Sequence, residues 1–406
     1  MAKLSIEDLA GDIKGKKVLM RVDFNVPLDT NRVITSDKRI SASLPSIKYI
    51  IEKGGRLILM SHLGRPKGKK APEFSLDVVA VKLSELLGKP VKFAKDCFGD
   101  DVKKMADELK DGEIMLLENL RFYAEEEGND PEFSKKLAVL GDIYVNDAFG
   151  TAHRAHASTA GVCKYISKCA AGFLMQKELK FLGEMLENPA KPFIAILGGA
   201  KVSDKIMVIE NLLNLVDGII IGGGMAYTFL AAYGREIGDS LCEKDKIQTA
   251  RDILKMAMDK HVSIYLPIDH IVIKTPPKGV DFMTYLATAE SKSVLRDSID
   301  AGWEGVDIGA NTIEKFANVI SKSKTIFWNG PMGVFEIDQF SKGTFGVAQA
   351  IADSGAMSVV GGGDSASAVK KLKLADKMTH VSTGGGASME FMEGTELPGV
   401  AALTNK

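Results

Sequence analysis

A-I-L-G-G-A-K-V-S-D-K-I, residues Ala195–Ile206, runs from an apolar segment through two glycines into two lysines four residues apart. At the end of a strand, such a glycine pair permits a sharp corner that side chains would obstruct. The corner has two readings, a solvated surface turn or a backbone cradle for an anion. Lys201 and Lys205 share one face if a helix begins near Ala200. A cation in the first turn of a helix opposes the dipole, which favours an acid there. A bound phosphate would supply the missing negative charge. Asp204 either orients a lysine or makes an ordinary helix ion pair.

Outward from that corner the sequence alternates short β-rich runs with helical patterns. Lys17–Phe24 reads as a strand that Asn25-Val26-Pro27 leaves, Ala42–Ile51 has helical periodicity, and Arg56–Met60 follows Gly54-Gly55 as the next strand. The cadence recurs through Glu113–Leu117 and Ile143–Val145, predicting parallel strands flanked by helices. Phe173–Leu186 repeats an apolar face suited to a long connecting helix, which Pro189 and Pro192 end. The second half resumes with strands at Phe193–Leu197, Gly218–Ile221, Ser263–Leu266, Thr325–Trp328, Ser358–Val360 and His380–Ser382. The expectation is two α/β domains divided near residue 190.

Three glycine triplets stand in similar settings, at Gly222–Gly224, Gly361–Gly363 and Gly384–Gly386. In each a strand-like run reaches Gly-Gly-Gly and a plausible helix follows, so backbone N–H groups at the helix start can meet nucleotide phosphates. Purely architectural turns remain the alternative. No G-x-x-x-x-G-K-[ST] segment is present, because Lys201 is followed by Val202, and no early G-x-G-x-x-G carries an acidic partner. A standard P-loop enzyme is therefore disfavoured. The first half contributes arginines and histidines at predicted strand ends: Arg21 to Asn25, Arg39, His62 to Arg65, Arg121, and His153-Arg154-Ala155-His156. Singly each reads as surface charge; together they suit bidentate grip on a small phosphorylated acid. The H-R-A-H spacing lacks the acidic context of a zinc helix.

Composition bounds the rest. The 406 residues are 45% hydrophobic, with 40 Gly and 13 Pro, which suits large soluble cores rather than a collagen-like or proline-rich chain. A net charge of −1 argues against a general nucleic-acid binder, although Ser61–Lys70 is a local basic cluster or a solvated loop. Cys97, Cys163, Cys169 and Cys242 form no C-x-x-C pair, which fits a reducing compartment. The start lacks the apolar stretch of a secretory signal and no run reaches transmembrane length, so the cytoplasm is expected, with no membrane partner.

The ordered motifs R-V-D-F-N-V-P (Arg21–Pro27), S-H-L-G-R-P-K-G (Ser61–Gly68), L-L-E-N-L-R-F (Leu116–Phe122) and N-D-A-F-G-T-A-H-R-A-H-A-S (Asn146–Ser158) carry a resemblance. They continue through Ala195–Ile206, W-N-G-P-M-G-V-F-E (Trp328–Glu336), G-G-G-D-S (Gly361–Ser365) and the final S-T-G-G-G-A-S. Essentially the whole chain resembles phosphoglycerate kinase of the compact bacterial type. That resemblance implies two Rossmann-like three-layer α/β/α domains with parallel sheets, separated by a cleft and joined by a helix. The implied division is 1–171 for the phosphoglycerate-binding domain and 172–189 for the helix and linker. It continues with 190–390 for the nucleotide-binding domain and 391–406 for a segment returning toward the first domain.

By the same resemblance, Asp23, Asn25, Arg39, His62, Arg65, Arg121 and Arg154 would contact 3-phosphoglycerate or 1,3-bisphosphoglycerate. Lys205 would contact nucleotide phosphate and Lys201 the transferring group. Gly223 and Gly224 would form the adenine platform, and Glu336 would hold the ribose. Gly362, Gly363 and Ser365 would line the phosphates, with Asp364 helping to bind Mg2+. Thr383, Gly384, Gly385 and Gly386 resemble the phosphate-facing helix start, and Arg39, Lys201, Lys205 and Gly385 would act in transfer. Tyr227 and Met389 stand where the family often has Phe and Leu.

The implied activity is a phosphotransferase reaction with a carboxyl acceptor, dependent on Mg2+ and ADP or ATP, by a cytoplasmic monomer that closes about a hinge. The absence of a catalytic-base motif fits it, since a carboxylate is already ionised near neutral pH. A nicotinamide-dependent oxidoreductase and a non-catalytic nucleotide-binding scaffold are the competing readings.

Overall fold

The computed structural model describes residues 3–295 and 298–406. It divides into two compact units, one formed by Met1–Lys180 with Glu396–Lys406 and the other by Phe181–Thr395. The division falls inside the helix Phe173–Glu187.

The first unit is built on six parallel strands: β1 (Lys17–Arg21), β2 (Arg56–Met60), β3 (Val91–Phe93), β4 (Ile114–Leu116), β5 (Ile143–Asn146) and β6 (Cys169–Ala171). Their spatial order is β3-β4-β2-β1-β5-β6. β1 and β2 pair from Lys17↔Arg56 to Arg21↔Met60. Both faces are covered, so these strands are nearly continuous apolar runs rather than alternating ones. Val18, Met20, Leu57, Leu59, Ile114 and Val145 share a core with Ile40, Ile47 and Ile50 of the helix Lys38–Glu52. The chain's end belongs to this unit: Thr404 O accepts from Leu4 N at 2.8 Å, Cys169 O from Thr404 N at 3.0 Å, and Ala152 O from Gly399 N at 2.8 Å.

The second unit has strands β7 (Phe193–Leu197), β8 (Gly218–Ile221), β9 (Ser263–Tyr265), β10 (His270–Lys274), β11 (Ser291–Val294), β12 (Trp303–Ile308), β13 (Thr325–Asn329), β14 (Met357–Gly361) and β15 (His380–Val381). Six of them form a parallel sheet ordered β15-β14-β13-β7-β8-β9. Strand order reverses between β7 and β13, which pair from Phe193↔Thr325 to Leu197↔Asn329. The crevice beyond the carboxyl ends of strands at such a reversal is where open α/β sheets bind ligands. Ile194, Ile196, Ile326 and Trp328 pack against Phe316, Ile320, Val347 and Ile351 on covering helices.

Both units carry the expected parallel sheet, and the second adds β11-β10-β12, a separate antiparallel sheet with an irregular register between Ile271 and Val272. Its strands are hard to read because β11 is mostly exposed and polar while β12 interrupts its apolar residues with Glu304, Gly305 and Asp307. One reading needs correction. Lys201 and Lys205 do not share a helix face, since the helix starts at Ile206 and the lysines lie in the turn before it.

Candidate functional site

In the first unit the residues following β1, β2 and β4 gather at the carboxyl end of the sheet. Asp23 follows β1, and Arg39 reaches it from the first turn of the helix Lys38–Glu52, with Nη1 to Oδ2 at 2.6 Å. That turn holds no acid, so Asp23 compensates a cation that opposes the helix dipole. Asn25 Oδ1 accepts from Gly64 N at 2.9 Å, and Gly64 O accepts from Arg121 Nη1 at 3.0 Å. Asp23, Arg39, Asn25 and Arg121 are thus held by contacts among the loops themselves. Arg121 is buried and its guanidinium is shifted below its ordinary value by desolvation, opposed by Glu127. Arg154 is exposed, with Nε to His153 Nε2 at 3.1 Å, and its charge is felt at Arg121 and His156. Arg65 is exposed, and no hydrogen bond or ion pair holds it among the described residues.

His62 is buried against Arg21, whose Nη2 lies 3.1 Å from His62 Nδ1. Burial, then the charges of Arg21, Arg121 and Arg39, hold the His62 imidazolium well below its ordinary pKa. His156 is pushed down to about 3 by burial and by Arg21, Arg121 and Arg154. Arg21 stands in the motif R-V-D-F-N, where the sequence gives it no separate role; its signal is a charged residue at the buried end of the strand Lys17–Arg21.

In the second unit two cavities open at the carboxyl end of the sheet. One of about 450 Å3 is lined by Gly198–Lys201, Lys205, Asn329–Pro331, Gly362–Ser365, Gly385 and Gly386, among others. Another of about 320 Å3 is lined by Gly223, Gly224, Tyr227, Val306, Met332 and Glu336, and it shares Gly199, Ala200, Pro331 and Asp364 with the first. A polar, lysine-bearing chamber therefore continues into a more apolar one, the shape that a nucleotide's phosphates and base require. Lys201 is exposed and Lys205 half-buried. Lys205 Nζ donates to Asn329 Oδ1, and burial lowers its ammonium below the usual value, opposed by Asp204, Asp364 and Glu393. Thr383 and Gly384 stand just before the lining residues Gly385 and Gly386. Asn329 escaped the sequence reading, although it is the polar end of the buried strand β13.

The glycines divide between architecture and access. The middle residue of each triplet, Gly223, Gly362 and Gly385, has φ of +66°, +86° and +54°, the left-handed region that favours glycine. At Gly223 a Cβ would lie 2.7 Å from both Gly199 N and Gly199 O, so close backbone packing fixes that residue. Gly363 differs: its φ is ordinary, it opens the helix Gly363–Lys371, and no atom lies within 4 Å of where its Cβ would be. The absence of a side chain there leaves the helix N–H groups approachable from the cavity.

The sequence pattern of the family described as phosphoglycerate kinase matches residues 6–395. The chain belongs to the phosphoglycerate kinase family. Phosphoglycerate kinases of Chlorobium phaeobacteroides (strain DSM 266 / SMG 266 / 2430) and Dictyoglomus turgidum are 56% and 57% identical to it, with all of each chain covered. The solved phosphoglycerate kinase of Coxiella burnetii superposes with a TM-score of 0.88 at 42% identity, covering 98% of both chains. That of Pyrococcus horikoshii OT3 gives 0.82 at 36% identity with the same coverage. Kinases of this family sharing the fold along the whole length leave no room for a nicotinamide-dependent oxidoreductase.

Proposed function

We propose that the chain catalyses reversible transfer of the acyl phosphate of 1,3-bisphosphoglycerate to ADP, giving 3-phosphoglycerate and ATP. The observation that carries the reading is family membership over residues 6–395. The lysine-bearing chamber at the β7/β13 reversal supports it. The acid would bind the first unit through Asp23, Asn25, Arg39, His62, Arg65, Arg121 and Arg154. The nucleotide would bind the second, its base and ribose beside Gly223, Gly224, Tyr227 and Glu336, its phosphates beside Lys201, Lys205 and Gly362–Ser365. Thr383 and Gly384–Gly386 would face the phosphates.

No general base is needed, because the attacking carboxylate or ADP oxygen is already ionised. The protein's work is to bring two anions together and stabilise the charge that spreads over the phosphoryl oxygens. Arg39 clamps the acid and the transferring group, Lys201 meets the phosphoryl oxygens, and Lys205 offsets nucleotide charge. Amides from Gly363, Gly385 and Gly386 add directed hydrogen bonds. Among the described residues no three acids, histidines or cysteines are grouped to hold a metal. The exposed carboxylate of Asp364, which lines both cavities, suits Mg2+ arriving on the nucleotide, since that ion keeps waters and phosphates as ligands and takes one or two carboxylates. The ion supplies neutralising charge to the phosphates.

Substrates carried by different units must meet for transfer to occur, so hinge bending at the helix Phe173–Glu187 belongs to the proposal. It also takes the working form to be a cytoplasmic monomer. Among the described residues no helix is long and apolar enough to cross a membrane. A coupled assay with ADP and 1,3-bisphosphoglycerate, run with and without Mg2+, tests the reading. ATP formation that requires both substrates and Mg2+ is expected. Nucleotide binding without turnover would instead favour a scaffold.

A further inference from the structure

We propose that Arg21 is a positioning residue that fixes His62 as its neutral Nε2–H tautomer, making His62 a hydrogen-bond donor to the acid substrate whose charge does not change between pH 6 and 8. The substrate half of this proposal rests on His62 being a phosphoglycerate ligand.

A guanidinium carries five N–H donors and no acceptor. Arg21 Nη2 lies 3.1 Å from His62 Nδ1, so Nδ1 offers its lone pair and the ring proton resides on Nε2. An imidazolium would instead turn an N–H toward a cation at hydrogen-bond distance. Arg21 cannot swing aside to relieve that conflict. It is fully buried, Nε donates to Ser158 Oγ at 2.8 Å, and Nη1 donates to Val22 O.

Ser158 is itself held. Its Oγ donates to Glu126 Oε1 at 2.6 Å, its N–H donates to Glu126 Oε2 at 3.0 Å, and its carbonyl accepts from Tyr144 OH at 2.7 Å. Glu126 is fully buried and both its side-chain oxygens accept from Ser158; burial raises its pKa, opposed by Arg21 and by those hydrogen bonds. Arg21 thus donates both ways, to the imidazole acceptor on one side and, through the Ser158 hydroxyl, toward the Glu126 carboxylate on the other. The charged and titratable groups acting most strongly on His62 are Arg21 on β1, Arg121 after β4, Arg39 on the helix Lys38–Glu52 and His156 in the loop after β5. The acids beside them lie against those groups: Asp23 2.6 Å from Arg39, Glu127 3.3 Å from Arg121 and Glu126 3.9 Å from His156. An ordinary histidine changes charge near pH 6.5; these surroundings work against protonation.

Nitrogen-15 NMR of the full-length protein between pH 5.5 and 8.5 tests the assignment. In the wild type His62 should show an unprotonated Nδ1 and a protonated Nε2 throughout. Arg21→Met should release the ring to a mixture of Nδ1–H and Nε2–H tautomers, and Arg21→Lys, which keeps a donor, should restore the wild-type pattern. Kinetically, the ratio of variant to wild-type KM for 3-phosphoglycerate cancels ionisation of the substrate's own phosphate. That ratio should rise above about twofold for Arg21→Met, where only part of the ring presents Nε2–H, and stay below about twofold for Arg21→Lys. A wild-type His62 protonated on Nδ1, or titrating near its ordinary value, overturns the proposal. So does an Arg21→Met protein with an unaltered His62 spectrum. If Arg21→Met does not fold, the wild-type and Arg21→Lys spectra decide. Should His62→Ala leave KM for 3-phosphoglycerate unchanged, the ligand reading fails and the substrate half falls with it, while the tautomer remains separately decided by the spectrum.

Discussion

Arg39 Nη1 lies 2.6 Å from Asp23 Oδ2, and the arginine side chain is 43% exposed against 12% for the aspartate. The acid is fixed by the loop after β1, whereas the cation reaches it from the solvent side. Exposed ion pairs contribute about 0–1 kcal/mol, because solvent screens them. An arriving anion can therefore share or replace the partner of Arg39 at small expense to the fold. Arg39→Ala is expected to lower turnover by about 100-fold or more while ADP affinity and thermal midpoint change little. Coupled kinetics with calorimetry of ADP binding checks this, and unchanged turnover would remove Arg39 from the transfer step.

The two lysines of the opening stretch should separate in their effects. Lys201 is exposed and Lys205 is half-buried on Asn329. Lys201→Ala should reduce turnover about 100-fold with the folded fraction intact. Lys205→Ala should raise KM for Mg-ADP and also destabilise the second unit by about 1 kcal/mol, because Asn329 loses its donor. Equal losses of stability in both variants would contradict the assignment.

A pair of glycine variants distinguishes packing from access. Gly223→Ala forces a side chain into φ +66° and against the Gly199 backbone, so a loss of about 2 kcal/mol or more is expected in denaturant unfolding. Gly363→Ala meets nothing within 4 Å and alanine favours helix. Its stability should hold or rise while KM for the nucleotide increases. A destabilised Gly363→Ala with unaltered KM would assign that glycine to architecture.

Asp147 gives stability a pH dependence. It is fully buried, its Oδ1 accepts from Leu174 N and Met175 N at 2.9 and 3.2 Å, and desolvation lifts its carboxyl to about 7. An unfolded aspartate titrates near 3.9. Between those values the folded chain binds the extra proton, so this residue's contribution falls as pH rises from about 4 to about 7 and levels above it. Asp147→Asn should gain stability relative to wild type across that window, by no more than about 4 kcal/mol in total. Urea unfolding at pH 4.5, 6 and 8 measures it, and a constant difference would place the carboxyl's pKa near its ordinary value.

The glycine corners and basic strand ends were legible because they are local. Strands β2, β7 and β8 appear within their anticipated bounds, since buried parallel strands announce themselves as short apolar runs. Each triplet does lead from a strand into a helix, at Met225–Ala232, Gly363–Lys371 and Gly386–Met392. The antiparallel sheet was not legible, because its polar, irregular strands carry no clean period. Nor was the start of the helix at Ile206: the same residues spell either a helical turn or the loop before one.

By itself the sequence determined the family, the α/β character and the residue types able to hold phosphate, because motif order, hydrophobic runs and glycine positions are properties of the chain read in one dimension. Tertiary structure decided which of those residues meet. Arg21 finds His62 across 41 positions and Ser158 across 137, and only sheet pairing brings them within hydrogen-bond reach. It also decided why each glycine is there, since Gly223 and Gly363 both belong to Gly-Gly-Gly triplets and differ in φ and in what surrounds the missing Cβ. Side-chain chemistry is written locally, but proton position, burial and close approach are set by neighbours that folding supplies.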